Sequence, residues 1–367
     1  MAVTLTFTTA ELDYSGDQNG TDYSYDIYDN EPKPCDNEEV GLQTFHGVFR
    51  SVLYCFILLL GVVGNGLMIT VLLRRWRLLR ITEIYLLHLA LADLMLLSTL
   101  PFDFNDVTGW IFGVFLCKLV GLVKNINLLC VSLLLACIGF DRYLAIVHAI
   151  PSMQNRRRRT VHLTCTTLWL ICLGLSIPTT VFLTVGGNTT NSSMLFCSYN
   201  DYGIHANNWV LALRVFDHVS FFLPLAVMSY CYTAVVITLC KSRKSQAKQG
   251  AIRLASLVTL VFCFCWLPYN ITLLIKTMTD LKVIEYQSCE SYDLLIPALD
   301  MTKTLGLSHC CLNPFLYAFL GVKFRNELLQ LLCKLGCGRV CMPFIRTQGH
   351  SRPSISDGAT TTSNLLL

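Results

Sequence analysis

The chain has 367 residues, 53% of them hydrophobic and only 14% charged, with a mean hydropathy of +0.53. That composition excludes an ordinary soluble domain and points to a chain that lives in lipid. The net charge of +4 hides a polarity: residues 1–40 carry ten acids against one base, Lys33, and no nucleic-acid partner is expected.

Seven apolar runs of spanning length can be read, near 48–73, 82–104, 115–147, 161–184, 208–240, 251–278 and 292–320. One such run would pass as a buried core helix, but seven at regular spacing would not. The fold class is therefore an all-α membrane protein, a seven-transmembrane-helix bundle with a short amphipathic helix after the seventh span. The expected layout is an acidic disordered extracellular tail over 1–47, the bundle over 48–320, the amphipathic juxtamembrane helix over 321–337 and a phosphorylatable cytoplasmic tail over 338–367. Basic loops follow the first, third and fifth runs, with Arg74, Arg75, Arg77 and Arg80, then Arg156 to Arg159, then Lys241, Arg243, Lys244, Lys248 and Arg253. The positive-inside rule puts these in the cytoplasm and the amino terminus outside, at the plasma membrane. Residues 1–47 are polar and acidic, so no cleavable signal is expected and the first span serves as its own insertion signal. Most of the 18 cysteines fall inside apolar runs, where a thiol behaves as a small hydrophobe. Cys35, Cys117, Cys197 and Cys289 map to the outer face, where two bridges can form in any of three connectivities.

In chain order, Tyr14, Tyr23, Tyr25 and Tyr28 stand near acids, a setting that favours tyrosine sulfation; the plainer alternative is a solvated tail. Asn19, Asn188 and Asn191 are glycosylation acceptors on the outer side, whereas Asn270 fits the pattern inside the sixth span and is expected to stay unmodified. In span two, Asp93 near mid-membrane needs polar partners. Asn65, Asn127 and Asn313 are the expected neighbours, and together they make a small hydrated site suited to a sodium ion. Pro101 predicts a kink near the outer end of span two, before an outer turn that contains Trp110. Span three carries only Lys124 as a charge in about 20 residues and closes on Asp141-Arg142-Tyr143. An adjacent acid and guanidinium at the inner mouth of an apolar span reads as a device. Trp169 and Pro178 follow in span four, then Pro224 and Tyr232 in span five. Span six carries Phe262 and Trp266, with a hinge at Pro268 beside Tyr269, and span seven runs from Asp300 and Lys303 to a second weak point at Asn313-Pro314 and Tyr317. His309-Cys310-Cys311 reads as packing, not as a zinc site. Val322 to Leu335 predicts an amphipathic helix along the inner leaflet, with Cys333, Cys337 and Cys341 as palmitoylation sites that engage membrane lipid. The Ser- and Thr-rich tail offers phosphoacceptors, and phosphates there would make a charged handle for a basic partner. No nucleophile or metal cluster suggests an enzyme.

These landmarks, Asn65, Asp93, Asp141-Arg142-Tyr143, Trp169, Pro224, Trp266 with Pro268, and Asn313-Pro314 with Tyr317, resemble the rhodopsin-class G-protein-coupled receptors in each span and in order. Thr99-Leu100-Pro101, Trp110 to Gly113, Asp141 to Val147, the further outer pair Cys35 and Cys289, and His309 to Pro314 resemble the chemokine receptors. The runs 133–138 and 321–325 look most like CXC receptors of type 3 or type 5, and 125–127, Phe140 and 212–215 lean to type 3. The resemblance implies a cell-surface receptor for secreted CXC chemokines that signals through an inhibitory-class G protein to direct leukocyte chemotaxis. A scavenger that internalises ligand without signalling, or a receptor for another peptide, is the alternative. It also implies that Cys35 pairs with Cys289 and Cys117 with Cys197 around one entrance. The ligand-binding set it implies is Tyr14, Tyr23, Tyr25, Tyr28, Asp103, Trp110, Lys124, Tyr269, Asp300 and Lys303. The implied switch set is Asp141, Arg142, Tyr143, Tyr232, Phe262, Trp266, Pro268, Asn313, Pro314 and Tyr317. Three departures stand out. Lys303 replaces a usual glutamate and Asp103 a usual tryptophan, so Asp103 is expected to pair with Lys124 or Lys303. Val131 stands where a serine often helps hold sodium. Lys248 gives Arg142 no acid on span six.

Overall fold

A computed structural model of the chain describes residues 40–103, 109–148, 158–188, 191–199, 208–241, 246–281, 283–284, 289–320 and 322–333. Its long helices are α1 (Val40–Arg74), α2 (Ile81–Leu97), α4 (Gly113–Ile146), α5 (Arg158–Val181), α6 (Asn208–Lys241), α7 (Gln246–Asp280) and α8 (Cys289–Leu320). The short α3 (Leu100–Asp103) completes span two, and α9 (Val322–Leu332) follows the bundle. By length and composition, six helical segments can cross a bilayer, from Gly47–Arg74 to Ala255–Asp280. The seventh, α8, falls short of that apolar standard because it carries Glu290, Asp293, Asp300, Lys303 and two prolines. Its 32 residues span about 48 Å at 1.5 Å each, and it packs between α7 and α1 like its neighbours.

Neighbour relations close a ring in which α1 meets α2 and α8, α8 meets α7, α7 meets α6, and α6 meets α4. Helix α4 also packs on α2, α5 and α7, so it forms the axis. The polarity is inverted relative to a soluble protein. Leu59, Leu170, Leu260 and Phe264 are each more than 60% exposed, while Asn65, Asp93, Asn127, His309 and Asn313 are buried. Apolar surface of this kind marks the face that lipid covers, and the polar groups inside hold the helices to one another.

Helix α1 starts at Val40, before the expected 48, so residues 40–47 are helical and do not belong to a disordered tail. Once the apolar part of α1 has nucleated, the helix propagates by two further turns into the more polar residues before it at little cost. Span two does more than kink: the helix breaks between Leu97 and Leu100. Pro101 has no N–H for the Leu97 carbonyl, and the Ser98 and Thr99 hydroxyls bond back to Met95 O (2.6 Å) and Leu96 O (2.7 Å). After α5, where the sequence reads only as a loop, β1 (Leu183–Asn188) and β2 (Asn191–Tyr199) form an antiparallel hairpin with Val185 opposite Cys197. Helix α9 runs over Val322–Leu332 and packs on α8 and α1; residues 334 and 335 of the expected Val322–Leu335 lie outside the described residues.

Candidate functional site

The outer half of the bundle encloses a cavity of about 330 Å³. Trp266 and Tyr269 from α7 form its floor, with ring centroids 5.7 Å apart in an edge contact. Asp103 from α3, Lys124 from α4 and Lys303 from α8 line its walls, and Leu183 and Cys197 of the hairpin cover it. The Cys117–Cys197 disulfide, with Cα atoms 5.6 Å apart, fastens that hairpin to α4. Trp110 fastens it to the first outer turn, since its backbone N–H donates to Leu195 O at 2.6 Å. The Trp110 ring sits in a cluster with Phe102 and Phe112. Gly121 permits the lid to close, because a Cβ there would run into Leu183.

Of the two lysines expected for Asp103, the structure selects Lys124: Nζ lies 2.5 Å from Asp103 Oδ1. Asp300 does not line the cavity; it pairs with Arg50 of α1 at 3.5 Å, its side chain half exposed. Tyr14, Tyr23, Tyr25, Tyr28, Asn19 and Cys35 lie outside the described residues, and so does the side chain of Cys289. Asn188 and Asn191 face each other in register at the hairpin tip.

Below the floor runs a buried polar line. Trp266 Nε1 donates to His309 Nδ1 at 3.0 Å, His309 Nε2 approaches Asp93 Oδ1 at 3.5 Å, and Asn313 Nδ2 donates to Asp93 Oδ2 at 2.8 Å. Gly306 O also lies 2.7 Å from His309 Nδ1. The two contacts are alternatives, since Nδ1 either accepts from the indole or donates to the carbonyl. Only Asn313 of the three expected asparagines bonds to Asp93. Asn127 Nδ2 donates to Ala92 O (2.9 Å), and Asn65 Nδ2 to Cys310 O (2.8 Å) and Gly61 O. Backbone carbonyls closer at hand take these donors in place of the carboxylate: Gly61 O lies one turn back on the same helix as Asn65, and Pro314 leaves Cys310 O without its helical N–H donor. Asp93 Oδ1, Asn127 Oδ1 and Asn65 Oδ1 are left buried with no hydrogen-bond partner among the described residues. Such oxygens fit a hard cation such as sodium, though Val131 adds no hydroxyl to the set.

At the inner end, Arg142 Nη2 lies 2.8 Å from Asp141 Oδ2, while Arg142 Nε is buried without a hydrogen-bond partner among the described residues. Tyr143 reaches His148 (3.0 Å), and Tyr232 accepts from Thr259 Oγ1 (3.2 Å) across the α6–α7 seam. Phe262 packs edge-on to His309 at 5.7 Å, connecting the polar line to α7 below Trp266. Pro268 lies inside α7 and Pro314 inside α8, and both helices stay continuous through them. The side chains of Tyr317 and Lys248 lie outside the described residues.

Sequence reasoning passed over His309, whose HCC context reads as packing, and the Asn125–Thr179 bond (2.9 Å) that joins α4 to α5. A buried histidine four residues before Asn313 was the available signal: i and i+4 share one helix face, here the face that carries Asp93's partners.

Residues 64–317 match the family described as 7 transmembrane receptor (rhodopsin family). The chain is 41% identical over 329 residues to C-X-C chemokine receptor type 5 of Homo sapiens, covering 88% of this chain and 87% of that one. It is 40% identical over 301 residues to type 2 of Homo sapiens (82% and 81%) and 40% identical over 320 residues to type 3 of Capra hircus (86% of each). These similarities do not separate type 3 from type 5 or type 2. The chain belongs to the rhodopsin family of seven-transmembrane receptors, in its C-X-C chemokine receptor branch: a multi-pass protein of the plasma membrane, a receptor and not an enzyme.

Proposed function

We propose that this receptor binds a secreted CXC chemokine from outside the cell and signals through an inhibitory-class G protein to direct leukocyte chemotaxis. The observation that carries the reading is the line from the cavity floor at Trp266 through His309 to Asp93 and Asn313, which joins a lidded outer cavity to the inner half of the bundle. The flexible end of the ligand presses on Tyr269 and Trp266, α7 swings about Pro268, and a crevice lined by Arg142, Tyr232 and Tyr317 opens to the G protein. Activation is a shift between two packings, and a ligand drives it only by binding the open one better.

The amino terminus is extracellular in this reading, which the basic inner loops support. Its acids and sulfated tyrosines raise the encounter rate of a basic ligand. Asp93, Asn127 and Asn313 would hold a sodium ion in the resting packing, where the ion supplies a counter-charge to Asp93. Receptor kinases and arrestin act on the cytoplasmic tail. The scavenging alternative is disfavoured by the intact Asp141–Arg142 clasp, which has no use in a receptor that never couples.

A panel of CXC chemokines, scored for nucleotide exchange on an inhibitory-class G protein, tests the reading. At least one member should activate the wild type and still bind Arg142→Ala without signalling. Binding with no exchange in the wild type would favour the scavenger.

A further inference from the structure

The chemistry of the cavity walls goes beyond a peptide-binding pocket. Two ammonium groups, Lys124 and Lys303, and one carboxylate, Asp103, line it, which leaves one positive charge. The other ionisable groups nearby do not change that count. Arg50 and Asp300 pair with each other, Arg214 and Asp217 of α6 do not line the cavity, and Cys197 is in the disulfide.

The three charged groups are not equivalent. Asp103 Oδ1 is 2.5 Å from Lys124, with side chains 15% and 25% exposed, so this ion pair is already made. Lys303 projects from α8 into the same cavity; it makes no hydrogen bond and no close ion pair among the described residues, and the carboxylates of Asp103 and, less strongly, Asp300 act on it only from a longer distance. An ammonium in such a place lacks most of its water and is not directly paired, so it gains most from a partner of opposite charge. An incoming cation meets the reverse situation. It can reach Asp103 at Oδ2, which is buried without a hydrogen-bond partner among the described residues, but there it shares one carboxylate with Lys124 and sits beside the like-charged ammonium of Lys303. A cavity near 330 Å³, floored by Trp266 and Tyr269, has the size and apolar lining that suit a short peptide end carrying one polar group.

From this geometry we propose that Lys303 is the specificity-determining anchor of the cavity and takes a carboxylate from the flexible end of the peptide ligand. The ligand is then two-signed: its folded body is basic, matching the acidic receptor tail, and the end that enters the bundle is acidic. Asp103 does not bind ligand. It holds Lys124 toward α3 and keeps that second cation from closing over the site. The inference rests on the proposed function only in taking this cavity as the place where a peptide end docks.

The test uses the full-length receptor in lipid nanodiscs at fixed ionic strength and three tripeptides acetylated and amidated at their ends, Gly-Glu-Gly, Gly-Gln-Gly and Gly-Lys-Gly. Thermal melting is followed against peptide concentration. The glutamate peptide should stabilise the receptor with an apparent affinity at least tenfold tighter than the glutamine peptide, and the lysine peptide should be weakest. Gly-Gln-Gly with a free carboxyl end distinguishes a terminal carboxylate from a side-chain one as the source. Lys303→Gln should erase the preference and Lys303→Arg should keep it. Equal stabilisation by the glutamate and glutamine peptides overturns the proposal. So does a glutamate preference that survives in Lys303→Gln, or a lysine preference that disappears in Asp103→Asn. Should Lys303→Gln fail to fold, the ranking of the three peptides on the wild type still decides. A silent chemokine panel with the glutamate preference intact sinks the signalling reading alone, and an active panel with no charge preference sinks this one alone.

Discussion

Gly306→Ala probes how the cavity floor is held. A Cβ at 306 would lie 2.7 Å from Cε3 and 2.9 Å from Cζ3 of Trp266, where carbon atoms rest at about 3.5–4.0 Å. The indole must retreat by roughly 1 Å, and overpacking of this kind costs about 1–3 kcal/mol. The same retreat stretches the 3.0 Å bond from Trp266 Nε1 to His309 Nδ1, which removes about 1 kcal/mol more. Both penalties fall on the packing in which Asp141 clasps Arg142, which the proposed function takes as the resting one. If the swing of α7 relieves about 1.4 kcal/mol of them, the resting-to-active ratio falls tenfold. Basal nucleotide exchange on an inhibitory-class G protein should therefore rise about tenfold, with a melting temperature lower by several degrees. His309→Leu should cost less in the Gly306→Ala background than alone, because its indole bond is already weakened there and mainly the Nε2 approach to Asp93 is left to lose, so the two effects should be clearly non-additive. Unchanged exchange and melting would refute the reasoning, as would a fall in basal exchange, because the displaced ring would then be obstructing the active packing.

Asp103→Asn should lower stability by about 1–3 kcal/mol, less than the 3–5 kcal/mol of a fully buried pair because the two side chains keep 15% and 25% exposure. Asp103→Leu with Lys124→Met should recover most of it, read by thermal melting of the three variants. Replacing choline chloride by sodium chloride at constant ionic strength should raise the melting temperature of the wild type and not of Asp93→Asn. Val131→Ser should shift the half-maximal sodium concentration down by up to about tenfold, worth one added ligand. Cys197→Ser opens a link across 80 residues of chain, an estimated 4–5 kcal/mol by loop-closure entropy in a soluble protein. Here lipid already holds the helices, so the bundle should melt within a few degrees of the wild type while ligand response is lost with the released lid.

Much of the fold was legible because a bilayer tests each span separately. A run either is or is not apolar enough over about 20 residues, and the seven runs fall where the helices lie. The break in span two was half legible: Pro101 is visible in the sequence, but the hydroxyls of Ser98 and Thr99 that accompany the break bond back to Met95 O and Leu96 O, a choice of rotamer that the sequence does not report. The hairpin was not legible, because Gly186 and Gly187 interrupt its first strand and nothing in 183–199 alternates strongly. The site divides in the same way. Charge alone showed that Asp103 needs a lysine, and only tertiary geometry chose Lys124 over Lys303. Mid-membrane polarity showed that Asp93 needs partners, but whether an asparagine bonds to it or to a backbone carbonyl depends on how closely helices approach. Gly306 against Trp266 and Gly64 against Pro314 mark such approaches, and no one-dimensional pattern reports them.

The unsatisfied buried atoms indicate where the two packings differ. Outside the bundle, lipid is as apolar as leucine, so helix association depends on packing and on the polar groups inside. A fully satisfied interior would hold one arrangement rigidly. Among the described residues, five of the eight unpartnered atoms follow one path, Asn65 Oδ1, Asp93 Oδ1, Asn127 Oδ1 and His309 Nε2 along the polar line and Arg142 Nε at its inner end; the others are Asp103 Oδ2, Ser176 Oγ and His218 Nδ1. Each is a group for which the resting packing provides less than its full bonding capacity, so a rearrangement that supplies a partner recovers free energy that a satisfied core could not offer. His309 is the pivot of this argument, because its Nδ1 can serve the Trp266 indole or the Gly306 carbonyl but not both. A push on the indole from the cavity therefore changes what His309 presents to Asp93. Under the proposed function, the strip from Trp266 to Asn313 is the element that outer ligand and inner G protein would both bias.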